Sequence, residues 1–189
     1  FVYLPKFNDI YEDNKKSKIT INKKDQILCA KIRKGHFEGV LDVMNRLTKI
    51  INPDKIFMGE KDFQQLYLVK NFLKKKYKTK IISCRTIRGK NKIALSSRNF
   101  LLNSSSINLA GKIYKKLKNI KKKINNKKDI SDYLMYSKKK LEMSLKIKID
   151  YLELRNIKNL KISKTKNNSR LFIAYYLNNV RLIDNLWFL

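Results

Sequence analysis

The sequence predicts an α/β protein: a parallel-sheet domain over residues 1–87, followed by a small α+β domain over residues 88–189. Three observations carry this reading. Ile56-Phe57-Met58 reads as a short buried strand, Phe63, Leu66, Val69 and Leu73 share one face of the helix that follows, and residues 80–87 return as a strand. Strand, helix and strand within about thirty residues make the parallel βαβ unit. Beyond Ile87 the helical patterns come first and the strand patterns afterwards, which is the order of an α+β domain. Finally, 43% of the 189 residues are hydrophobic. A core can therefore be buried despite a net charge of +30, and a wholly disordered polycation is excluded.

The elements follow in chain order. Phe1-Val2-Tyr3-Leu4-Pro5 is an apolar run stopped by proline and reads as a buried strand. An opening inside a strand predicts further chain before it. After a polar stretch, Ile19-Thr20-Ile21 alternates like a short strand. Phe37, Val40, Leu41, Met44, Leu47 and Ile51 have the spacing of an amphipathic helix. Asn52-Pro53-Asp54 ends it, because proline disfavours helix in the residue before it. Residues 88–99 form a polar loop without periodicity. Ser104-Ser105-Ser106 offers hydroxyl caps to a helix carrying Ile107, Ala110, Ile113, Leu117, Ile120 and Ile124 on one side. Asn125-Asn126 breaks that helix, and a second runs from Ile130 to Leu145. Strands over 149–154, 171–177 and 180–183 close the chain, with Asn178-Asn179 as a hairpin turn.

Composition bounds the function classes. No run reaches the roughly 18 apolar residues of a membrane span, and no cationic-then-apolar leader is seen. Two cysteines, Cys29 and Cys84, make no disulfide framework. The expectation is a soluble, cytoplasmic protein without a membrane partner. The basic charge comes from 37 Lys and 8 Arg, beside 20 Asn and 23 Ile but 4 Ala and 5 Gly. Residues with AT-rich codons are in excess, so mutational bias with solvated lysine faces explains the charge. A nucleic-acid binder would cluster arginine, whose planar fork reads phosphate and guanine edges. A polycationic nucleic-acid-binding protein without catalysis is the alternative reading.

Chemistry can sit at three places. In an open parallel sheet, ligands bind beyond the carboxyl ends of the strands, where Gly59-Glu60-Lys61-Asp62 lies. Gly59 lets a ligand approach the backbone, the helix start favours an anion, and Lys61 adds a point charge suited to phosphate. Gln64 and Gln65 supply amides that can fix a polyol or carboxylate. The plain alternative is a capped surface turn with two exposed amides. Leu95-Ser96-Ser97-Arg98-Asn99, with Arg88 and Lys90, can clamp a polyphosphate from a mobile loop, or serve as a cationic linker. Arg33-Lys34-Gly35-His36-Phe37 holds the chain's one histidine, the natural acid–base group at neutral pH; it reads equally as a packing residue at a helix start.

At these three places the sequence resembles the pantoate–β-alanine ligase (pantothenate synthetase) family. Residues 35–40 match its GHFxGV segment, residues 59–65 its GEKDxQQ segment, Ser96-Ser97-Arg98-Asn99 its SSRN loop, and Arg181-Leu182-Ile183-Asp184-Asn185 its closing strand. The resemblance implies a nucleotidyltransferase-like, Rossmann-type sheet domain, incomplete here, followed by a lid domain, assembled as a homodimer. It implies that ATP, carrying Mg²⁺, activates pantoate as an acyl adenylate with release of pyrophosphate, and that β-alanine then displaces AMP. By position, Gly59, Glu60, Lys61, Asp62, Ile87, Leu95, Ser96, Ser97 and Arg98 would contact ATP, and Gln65 would hold pantoate. Lys61, Ser96, Ser97 and Arg98 would stabilise the charge of the transition state, in a loop similar to the lysine-serine loop of class I tRNA synthetases. No metal-binding side chains are implied. Departures are specific. The family's proline before the GHF segment is Lys34, and the Asp-Gly of its loop is Asn91-Lys92. Its first strand, the glycine-rich turn with two histidines and a second amide have no counterpart. The chain is therefore expected to be a fragment, with a degraded gene or a separate chain that supplies the rest as the alternatives, and to be incomplete for catalysis when alone.

Overall fold

The computed structural model describes residues 1–11, 18–124 and 129–188, and the chain divides into two compact units, Phe1–Cys84 and Arg85–Leu189. In the first unit, short helices α1 (Phe7–Ile10) and α2 (Cys29–Ile32) precede α3 (His36–Ile51), β1 (Lys55–Gly59), α4 (Phe63–Leu73) and β2 (Lys80–Cys84). The two strands pair in parallel, from Lys55 with Lys80 to Gly59 with Cys84. The βαβ unit is therefore present, with β2 ending at Cys84, three residues before the expected Ile87; β1 is not the buried strand expected, since Phe57 is 67% exposed on a sheet of two described strands. α3 and α4 pack together, and Phe37 and Leu41 of the one and Leu66, Val69 and Leu73 of the other are buried. Asn52 ends α3 in the left-handed region at φ 47°, a conformation that asparagine tolerates and that leads into Pro53. The Thr79 hydroxyl donates to the Pro53 carbonyl at 2.7 Å, and the Lys80 N–H to that of Asp54 at 2.9 Å. These bonds bring the starts of the two strands together.

Two expected strands are absent. Phe1, Val2, Tyr3 and Leu4 are exposed and pair with no strand among the described residues, and Ile19-Thr20-Ile21 belongs to no strand. Apolar content alone makes no strand. A backbone in sheet conformation needs a neighbouring strand for its N–H and C=O groups, and β1 and β2 pair only with each other.

In the second unit, α5 (Ser104–Ile124) and α6 (Ile130–Leu145) pack on an antiparallel sheet of β3 (Lys148–Asn156), β4 (Ser169–Leu177) and β5 (Val180–Trp187), in that order. The α5 stripe is as expected: Ala110, Ile113, Leu117, Ile120 and Ile124 are buried. They join Leu154, Leu171 and Ile173 of the sheet in one core. Asn178 and Asn179 have φ of 46° and 63°, the left-handed pair a two-residue hairpin demands. The serines do not cap α5. They form its first turn, and Asn103 caps it, its Oδ1 accepting the Ser106 N–H at 2.9 Å. Asparagine and serine are about equal as caps, so residue type alone does not decide between Asn103 and Ser104. The Asn125-Asn126 break lies outside the described residues.

Gly111 shows how closely α5 meets the preceding loop. A Cβ there would lie 2.6 Å from the Asn91 carbonyl oxygen. Replacing glycine by alanine inside a helix normally gains about 1 kcal/mol. Here Gly111→Ala must push a backbone atom aside, and overpacking costs about 1–3 kcal/mol. Urea unfolding is expected to show net destabilisation, the reverse of helix propensity.

Candidate active site

The carboxyl end of β1 runs into a single 3-10 turn, Glu60–Asp62, and α4 starts at Phe63. Phe63, Leu66 and Leu73 are buried and fix this helix start against the unit's core. Gly59 has ordinary extended angles, φ −71° and ψ 133°, and a Cβ on it would meet no atom within 4 Å. Nothing in the chain's own packing demands glycine here; the space in front of it is open. Lys61 Nζ lies 3.7 Å from Asp62 Oδ2, with a mostly buried stem. The Asp62 side chain, at the start of α4, accepts no hydrogen bond from the helix's first amides. A strand end, open space, a cation and a helix start therefore come together at one place, the arrangement that favours an anion.

The adjacent glutamines have different fates. Gln64 is buried. Its Oε1 accepts the Cys29 N–H at 3.0 Å, and its Nε2 donates to the carbonyls of Ile27 at 2.8 Å and Asp25 at 3.2 Å. The sequence reading offered it as a ligand amide; in the structure it ties the segment before α2 to α4. Gln65 instead lines a cavity of about 720 Å³ with Gly35, His36, Gly39, Val40 and Met44. His36 is the first residue of α3, following Gly35, whose φ of 75° is left-handed. Gly39 stands inside α3 with nothing near its missing Cβ, a position that costs a helix about 1 kcal/mol against alanine. Sequence reasoning set His36 apart from Gln65. The structure brings them onto one cavity, a pairing that no local signal in the sequence carries.

In the second unit, residues 87–95 are a tight hairpin rather than the unpatterned loop expected. Leu95 N–H donates to the Ile87 carbonyl at 3.0 Å, Gly89 N–H to Ile93 at 2.9 Å and Lys92 N–H to Gly89 at 2.8 Å. Lys92 takes the left-handed turn position at φ 70°. The Asn91 amide donates to the Ile107 carbonyl of α5 at 3.1 Å. Ser96 then caps a 3-10 turn, Ser97–Leu101, its hydroxyl accepting the Arg98 N–H at 3.2 Å. Ile87 and Leu95 expose their side chains, while Ser96 and Arg98 are half-buried.

Arg88 is not the free clamp that the sequence reading placed beside these residues. Its two terminal nitrogens grip Asp184 of β5 at 2.7 and 2.8 Å, one of them also donates to the Lys92 carbonyl at 3.1 Å, and the guanidinium lies 4.2 Å from the Tyr114 ring centre. Burial alone would lower the Arg88 pKa; the bonds and charge of Asp184 outweigh it and hold it above its ordinary value. Burial, with the charge of Asp184, also pushes the neighbouring Tyr175 phenol well up, against a smaller opposite effect of Arg88.

No three His, Cys, Asp or Glu side chains converge as a metal cage among the described residues, and none of their helices is long and apolar enough to cross a membrane.

Comparison with known proteins places the chain first in a class and then in a family. It has the α/β fold of solved ligases. It superposes on pantothenate synthetase from Thermus thermophilus with a TM-score of 0.86 at 25% identity, over 96% of this chain and 67% of that one. With a pantoate-beta-alanine ligase from Francisella tularensis, complexed with beta-gamma ATP and beta-alanine, the TM-score is 0.72 at 36% identity, over 95% of this chain and 61% of that one. The family model described as pantoate-beta-alanine ligase matches residues 1–187. The chain belongs to the pantoate–β-alanine ligase family. Pantothenate synthetase of Flavobacterium psychrophilum is 35% identical over 190 residues, covering 98% of this chain and 67% of that protein. That of Buchnera aphidicola subsp. Acyrthosiphon pisum (strain Tuc7) is 36% identical, covering 97% of this chain and 66% of that protein. The chain thus spans about two thirds of the length of these relatives.

The two glutamines separate by experiment. Gln64→Ala strands one backbone N–H and two carbonyls in the interior, so a loss of about 1–3 kcal/mol is expected in urea unfolding. Gln65→Ala, at a cavity wall, is expected to stay within about 0.5 kcal/mol of the parent.

Proposed function

We propose that this chain carries the nucleotide and pantoate contacts of a pantoate–β-alanine ligase that works through an acyl adenylate. A pantoate carboxylate oxygen attacks the α-phosphorus of ATP, and the bond to pyrophosphate breaks. The β-alanine amine then attacks the acyl carbon, loses a proton, and AMP leaves with the electron pair of the broken acyl–oxygen bond. The reading rests on one observation above the rest: the segment 59–65 offers open space, a cation and a helix start at its beginning, and an amide facing a cavity at its end. Phosphates need the first set, and a hydroxy acid needs the second.

Gly59, Glu60, Lys61 and Asp62 contact ATP in the first unit, and Ile87, Leu95, Ser96, Ser97 and Arg98 do so in the second. The exposed Ile87 and Leu95 offer apolar surface for a purine, while the hydroxyls and Arg98 meet phosphate. Gln65 holds pantoate, with His36 on the same cavity wall. Lys61, Ser96, Ser97 and Arg98 stabilise the charge that grows on the departing pyrophosphate, so catalysis is mostly positioning and electrostatics. Mg²⁺ would arrive with ATP and keep mostly phosphate and water oxygens as its ligands, with no cage of protein side chains. A homodimer in the cytoplasm completes the proposal.

The test is pantoate-dependent exchange of labelled pyrophosphate into ATP, run on this chain joined to the part of its longer relatives that it does not cover. Lys61→Ala is expected to lower exchange by at least about tenfold, the loss of one charge-stabilising contact. Exchange at the parent rate in that variant would overturn the role given to the segment.

A further inference from the structure

We infer that Arg88 and Asp184 act as a positioning pair for the loop that carries Ser96, Ser97 and Arg98, and that Arg88 is not itself a phosphate ligand. The inference rests on the nucleotide reading above and goes beyond it, by naming what holds one of its segments in shape.

Both oxygens of the Asp184 carboxylate are engaged. Asp184 Oδ2 accepts one Arg88 nitrogen, Oδ1 accepts the other, and Oδ1 also accepts the Asn185 N–H at 2.7 Å. The aspartate is 7% exposed, and the guanidinium is covered by Tyr114. The arginine's two terminal nitrogens are thus both engaged by one carboxylate. One of them also donates to the Lys92 carbonyl, across the hairpin that Arg88 opens. Arg88 and Ala94 form the hairpin's bridge, and Leu95 N–H bonds the residue just before Arg88. Moving Arg88 therefore moves Leu95 and the Ser96 cap directly. Asn99, whose amide donates to the Ala94 carbonyl at 3.2 Å, fastens the far side of the same loop. The pair joins residues 96 positions apart, so the loop's shape is set by β5.

The experiment measures ATP affinity and hydrogen exchange in the parent and two variants. Asp184→Asn keeps the shape of the site and removes the charge that neutralises Arg88. The double change Arg88→Met with Asp184→Leu replaces the pair by apolar groups, which buried pairs often tolerate without loss of folding. In both, the Gly89 and Leu95 amides are expected to exchange at least about tenfold faster while those of β4 are unchanged, as local opening would give. ATP affinity is expected to fall about tenfold, and to fall no further when Asp184→Asn is added to Arg98→Ala, because the pair acts through the loop. Tighter ATP binding by Asp184→Asn would mean that the freed Arg88 binds phosphate, and would overturn the inference. So would unchanged exchange at Gly89 and Leu95, whatever ATP does. If the parent binds no ATP yet the two amides loosen in the variants, the positioning role stands and the nucleotide reading falls.

Discussion

The second unit's candidate site depends on one buried contact, the two-bonded grip of Arg88 on Asp184. Burying opposite charges costs several kcal/mol per ion, and only good geometry with further hydrogen bonds recovers it. Both conditions are met: each carboxylate oxygen has a nitrogen partner, and the guanidinium also reaches a backbone carbonyl and an aromatic face. With the pair in place, a nine-residue hairpin folds against β5 and α5. Asn91 then settles over Gly111, the one helix position where the backbones can approach so closely. The serines and arginine that follow inherit their direction from that arrangement.

The first unit solves a similar problem with an uncharged group. Successive residues of a helix point about 100° apart, so Gln64 and Gln65 cannot share an environment. Gln64 turns inward and joins the segment before α2 to α4 by three hydrogen bonds. Gln65 faces the cavity beside His36. One amide holds the architecture and the next faces a cavity. Two identical side chains in sequence thus part between the interior and a cavity wall.

Much of this was legible in the sequence where the signal was local. The α5 stripe, the span of α6 and the Asn178-Asn179 turn follow from periodicity and from asparagine's tolerance of positive φ, and the βαβ unit from the order of its apolar runs. Family motifs pointed to segments 59–65 and 95–99 as places of chemistry. What stayed hidden depended on partners far along the chain. Phe1-Val2-Tyr3-Leu4 has the composition of a strand but no described neighbour to pair with. Arg88 read as a free cation because Asp184 is its partner only in three dimensions. Gln64 looked like its neighbour for the same reason, since burial of one of two equal amides is decided by what packs on the helix.

The net charge of +30 poses the sharpest question, because any polyanion is attracted to so many lysines. A site differs from a charged surface in being local. The decisive measurement is a titration of isotopically labelled protein with ATP at physiological salt, followed by backbone amide shifts. The account predicts saturable shifts concentrated at residues 59–62 and 95–98, with little change along the lysine faces of α5 and α6. Shifts spread over those helices, with residues 59–62 and 95–98 silent, would contradict it.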